Sequence, residues 1–99
     1  MISSGISKET RQKIYRRDGW ACALCGDRRG IQVHHLYKRS LGGTDSPHNL
    51  ITLCTYCHFA IHGEALEGDR DYWKEFTDQE AHEYLADYYA PNWWPWMDA

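Results

Sequence analysis

Cys22-x2-Cys25 and Cys54-x2-Cys57 are the strongest chemical signal in this chain. Each pair spans one tight turn, so two thiolates converge, and two such knuckles can wrap a single ion. Four thiolates around Zn²⁺ close a tetrahedral shell that contributes folding energy rather than catalysis. The pairs are 28 residues apart, whereas a simple zinc ribbon separates them by roughly 15–20. Something else is therefore inserted between the knuckles. Disulfides, buried free thiols and an Fe–S cluster are the competing readings of four cysteines.

The inserted stretch and its flank carry histidines. His34 and His35 are adjacent, so on a strand they point to opposite faces and need different tasks. His58 and His62 are four apart, on one face of a helix, and can chelate one ion together. His34 can add a third imidazole from the strand. That leaves His35 unligated, facing where a substrate would lie. His48 reads as a loop residue and His82 as a surface residue of a late helix. A lone histidine is usually structural, but four at this spacing beside a zinc knuckle are not independent accidents.

The order His34-His35, Gly42-Gly43, Asn49-Leu50, then Cys54-x2-Cys57-His58 resembles the HNH endonuclease family, over about residues 11 to 63. It is similar to the small phage and bacterial members whose cysteine pairs, here Cys22, Cys25, Cys54 and Cys57, bind structural zinc. The histidine spacing is similar to that of the nuclease colicins. The resemblance implies a small α+β fold, a ββα-metal domain with zinc knuckles, an N-terminal helix and a C-terminal helical extension. It implies DNA as partner and hydrolysis of phosphodiester bonds, by nicking or double-strand cleavage, leaving 5′-phosphate and 3′-hydroxyl ends. It makes His35 the general base, and an imidazole with an unperturbed pKa of about 6.5 suits that work. Asn49 holds the loop and, through it, the base. His34 and His58 ligate one catalytic divalent cation, and His62 is a third candidate ligand. Many members carry Asp where this chain has His34. An all-imidazole site shifts the preferred ion among Mg²⁺, Mn²⁺, Ni²⁺ and Zn²⁺ towards the transition metals.

These residues need elements to position them. Ser7 is a candidate N-cap for a helix from Lys8 to Asp18, with Gly19 as its stop. Ile14 and Tyr15 face inward on it. Its charges, including Arg16 and Arg17, are either a solvated face or phosphate contacts. Ile31 to Leu36 reads as a strand, and Asn49 to Leu53 as a second. Between them Gly42-Gly43 and Asp45-Ser46-Pro47 are loop chemistry. Lys38 and Arg39 follow the base directly and could touch phosphates flanking the cut. From Thr55 a helix runs through His58 and His62, ended by Gly63 or Gly68. Thr77-Asp78-Gln79-Glu80 matches a capping box for a further helix to about Tyr89, striped by Tyr84, Leu85 and Tyr88, with a short helix over 69–76 before it. Trp73 and Phe76 are expected to pack onto the core. The Pro91 to Trp96 tail cannot be regular helix. Trp93, Trp94 and Trp96 exposed together would make a docking surface.

Ninety-nine residues fit one domain, and so short a chain often needs a staple. The net charge of −3 looks wrong for a nucleic-acid binder. Its distribution is not: residues 1–63 hold nine basic and four acidic groups, and residues 64–99 hold two basic and ten acidic groups. The first part reads as a basic nuclease core with the cysteine pairs, the second as an acidic, aromatic extension packed on it. That extension is also a candidate surface for a protein partner, such as a phage packaging machine, or a segment that restrains DNA binding. No signal peptide and no membrane span is legible, so a cytoplasmic protein of a bacterial or phage-infected cell is expected. The competing reading is a zinc-ribbon module that binds DNA or protein and cuts nothing. It explains the cysteines but gives no reason for His35, Asn49, His58 and His62 at these spacings.

Overall fold

Among the described residues, a two-stranded sheet is covered by one helix on one face and two on the other. The computed structural model describes residues 6–64, 69–91 and 93–95. Helix α1 (Lys8–Arg17) starts at Ser7, whose hydroxyl accepts from the Thr10 amide, and the chain turns away at Gly19 with φ 76°. Strands β1 (Gln32–His35) and β2 (Leu50–Leu53) pair antiparallel, with His34 opposite Ile51 and His35 opposite Leu50. Helix α2 (Thr55–Ile61) follows β2 directly, and α3 (Arg70–Tyr88) packs against it. Among the described residues no helix is long and apolar enough to cross a membrane.

All of β2 is buried, because both of its faces are covered. Ile14, Val33 and Leu50 close one face beneath α1, together with Ile6. Ile51, Leu53, Ile61, Ala81 and Leu85 close the other, and Cys22 and Cys54 belong to that same cluster. The knuckle sulfurs are thus built into the larger core. Burying an aliphatic side chain of this kind stabilises by roughly 1.5–3 kcal/mol, and so few of them make a marginal domain without further support.

One polar knot ties three elements together. Arg17 at the end of α1 donates to both carboxylate oxygens of Asp18, to the Pro47 and Leu50 carbonyls and to the Tyr89 hydroxyl. Asp18 in turn accepts from the Thr52 amide and the Tyr84 hydroxyl, both at 2.9 Å. Among the described residues no third strand pairs with the outer edge of β2, and the Asp18 carboxylate and the Ala23 amide satisfy it at Thr52. Burial, with the nearby Asp18 carboxylate, pushes the Tyr84 phenol up to about 12, so it remains a donor.

Several expectations need correction. Arg17 is not part of a solvated helix face: its side chain is 6% exposed and bonded within the protein. The sequence reads α3 as two helices, yet it is one, capped by Asp69, with Thr77 buried inside it rather than at its start. A capping box needs a free turn before it, and the packing of α3 on the core carries the helix straight through. Trp73 and Phe76 are exposed on α3 instead of joining the core, Phe76 stacked on Tyr72 and Trp73 edge-on to both rings. Tyr88 is likewise exposed, while Leu85 is buried. Trp93 is half-buried and donates to the His48 carbonyl, Trp94 is exposed, and Trp96 lies outside the described residues, as does Gly68.

Candidate functional site

The two knuckles meet. Cys22, Cys25, Cys54 and Cys57 place one sulfur each within 4.8 Å of all the others. Zn–S bonds of about 2.3 Å in a tetrahedron put sulfurs roughly 3.8 Å apart, and Cys25 and Cys54 are at 3.5 Å. All four are thiols, with no disulfide between them. Their mutual influence is strong. The Cys57 thiol donates to Cys22 and holds it down at about 4, despite burial. Cys57 itself is raised, first by that donation and then by burial, and burial pushes Cys25 up to about 11. The first thiolate forms readily and opposes the next, which is the electrostatic situation a cation relieves. The cluster is compatible with structural zinc.

The second cluster draws on β1 and α2. His34 projects from β1 among Ile51-facing positions, His58 from the middle of α2, and His62 from its C-cap. Their ligand nitrogens all lie within 4.8 Å, and Nε2 of His58 and His62 are 3.1 Å apart. Zn–N bonds of about 2.0–2.1 Å require roughly 3.3 Å between tetrahedral ligand atoms, close to the His58–His62 separation, so the three imidazoles could hold one ion. Burial, with the nearby imidazoles adding to it, pushes His34 down to about 3. Burial also lowers His58 and His62. Neutral imidazoles are what a metal requires. Helix α2 ends on His62 because Gly63 takes φ 76°; His62 is therefore the most exposed of the three.

His35 closes β1. Alternation sets it on the other face from His34, yet both line one cleft of about 560 Å³ because the strand ends there. Lys38 and Leu41 line the cleft on the loop side, and Asp71, Lys74, Glu75, Asp78 and His82 of α3 form its far wall. His35 Nε2 lies 2.8 Å from Asp45 Oδ1. A carboxylate only accepts, so Nε2 carries the proton and Nδ1 is the basic nitrogen.

Asn49 is fully buried and holds the loop that follows His35. Its Oδ1 accepts from the Tyr37 amide, and its amide donates to the Tyr37 and Thr44 carbonyls. The loop can close only because Gly43 has no side chain: a Cβ there would lie 1.8 Å from the Tyr37 carbonyl oxygen. Lys38 is exposed at the cleft and Arg16 on α1. Arg39 is half-exposed, and its guanidinium forks onto both oxygens of Asp45. His48 stays in its loop, against Tyr89, and His82 donates to the Asp78 carbonyl.

Two features escaped sequence reasoning. Asp45 reads as turn chemistry, since nothing in a ten-residue separation from His35 announces contact. The acidic wall from α3 had an overall charge signal but no address on the surface.

No curated protein and no solved structure is significantly similar to the chain. The family model described as HNH endonuclease matches residues 22–64, from the first knuckle cysteine to just past His62. With its antiparallel strand pair, following helix and cysteine cluster, this segment is similar to the HNH endonuclease domain.

Proposed function

We propose that the chain is a metal-dependent endonuclease that hydrolyses phosphodiester bonds of DNA. The observation that carries this reading is that His35, hydrogen-bonded to Asp45, lines one cleft with His34 and His62 of the three-histidine cluster. The four cysteines hold zinc as a folding staple.

His34, His58 and His62 would hold one divalent cation, and an all-nitrogen donor set favours Zn²⁺, Ni²⁺ or Mn²⁺ over Mg²⁺. When bound, that ion supplies Lewis-acid stabilisation of the charge that builds on the phosphate and on the departing oxygen. Neutral His35 takes one proton from a water molecule through Nδ1. The water oxygen forms the new bond to phosphorus, and the bond to the 3′ oxygen breaks. That oxygen takes a proton from solvent, which leaves 5′-phosphate and 3′-hydroxyl ends. Asn49 keeps the His35 loop closed throughout. Lys38 and Arg16 contact flanking phosphates, which position the duplex without reading its sequence.

Metal content of the purified chain comes first, followed by supercoiled plasmid incubated with EDTA, Mg²⁺, Mn²⁺, Ni²⁺ or Zn²⁺. A nuclease is silent with chelator and restored by at least one ion. His35→Ala keeps both metal clusters and loses cleavage. A protein that retards DNA in gels but fails to cut it with any of these ions is a zinc-stabilised binding module instead.

A further inference from the structure

We propose that Asp45 is the positioning residue of the general base, an inference that rests on the nuclease reading above. His35 Nε2 donates to Asp45 Oδ1 at 2.8 Å, while Nδ1 makes no hydrogen bond with the described residues. A neutral imidazole has one donor and one acceptor nitrogen, and the bond made by the first fixes the second. Asp45 therefore locks the tautomer in which Nδ1 holds the lone pair. It also locks the ring's rotation, which a base needs if it is to meet the water at hydrogen-bond distance.

The carboxylate is itself held. Arg39 donates through Nε and a terminal nitrogen, one to each oxygen, so Asp45 stays anionic and cannot swing away. Desolvation pushes the Asp45 carboxyl up, but the hydrogen bonds and charges of His35 and Arg39 together outweigh it and leave it below its ordinary range. Asn49 anchors the adjoining Thr44 carbonyl, so the backbone next to Asp45 is fixed as well. Two buried or half-buried anchors thus divide the task. Asn49 fixes the main chain of the loop, and Asp45 fixes the imidazole. A base oriented by a hydrogen-bonded carboxylate follows the logic of the Ser-His-Asp triad, on an unrelated scaffold.

The test is Asp45→Ala in the zinc-loaded protein, assayed with whichever ion restores wild-type nicking. We expect kcat to fall about 10–100-fold, the usual cost of losing a partner that orients a functional histidine, with KM little changed. Asp45→Ala added to His35→Ala should cost nothing further, because both changes remove one unit. In ¹⁵N-histidine-labelled wild type, the His35 Nε2–H should give a slowly exchanging, downfield proton resonance that Asp45→Ala abolishes. An equal loss in the His35→Ala background means a structural role and overturns the proposal. So does a wild-type spectrum without a bonded Nε2–H, a result that needs no variant to fold. Wild-type protein that fails to nick with every ion tested refutes the nuclease reading, and the role of Asp45 with it. A wild-type nuclease whose Asp45→Ala form nicks equally well refutes the positioning role alone.

Discussion

Replacing Arg17 by alanine separates two readings of a basic helix end. Arg16 and Arg17 are neighbours in sequence and look equivalent as phosphate contacts. In the structure Arg16 is exposed, whereas the Arg17 side chain is 6% exposed and its partner Asp18 is fully covered. Arg17→Ala deletes five hydrogen bonds, two of them to a carboxylate that stays buried. Breaking a buried ion pair from one side costs about 3–5 kcal/mol, mostly as an uncompensated charge. Asp18 keeps the Thr52 amide and the Tyr84 hydroxyl as donors, which argues for the lower end, about 3 kcal/mol. In a domain of this size each kcal/mol shifts Tm by about 4–8 °C, so the midpoint should drop by more than about 12 °C. Lysine should not rescue it, because a point charge cannot replace a planar fork that reaches four groups. The assay is urea and thermal unfolding of zinc-loaded protein, repeated at high salt, where a buried pair is screened little. Arg16→Ala should stay within about 0.5 kcal/mol of wild type. The reasoning fails if Arg17→Ala unfolds within about 1 kcal/mol of wild type, or if its only effect is weaker DNA binding.

Zinc removal should unfold the chain rather than merely silence it, because Cys22 and Cys54 sit inside the larger apolar cluster; far-UV circular dichroism during chelation reads this, and a chelated protein with native spectrum and midpoint would contradict it. Gly43→Ala should keep zinc and lose cleavage about 100-fold, since its Cβ would strike the Tyr37 backbone and displace the loop that carries Asp45, and misplacements near 1 Å cost on that order; unaltered nicking counts against it. Neutralising the cleft wall with Asp71→Asn, Glu75→Gln and Asp78→Asn should tighten DNA binding several-fold at low salt. Three like charges roughly 10 Å from a phosphate oppose it by about 1 kcal/mol in water, and the gain should vanish near 1 M salt, where the Debye length is about 3 Å; fluorescence anisotropy with labelled duplex across a salt series decides.

The sequence alone determined what is written in local spacing. Cysteine pairs two residues apart, histidines four apart before Gly63, and Ser7 ahead of a polar helix are short-range facts, because turn geometry converts spacing directly into proximity. The strand pair was legible for the same reason, since β-branched and apolar residues fill both short runs. Only the tertiary structure decided what depends on closure of the whole chain. Arg16 and Arg17 differ by one position on one helix, and just the packing of Pro47, Leu50 and Tyr89 around the second makes it a strut. Thr77 carries a start signal that burial overrides. Asp45 meets His35, and the carboxylates of α3 meet the cleft, across distances in sequence that carry no code. Propensity and spacing act over a few residues, whereas these contacts exist because a small sheet must be covered on both faces.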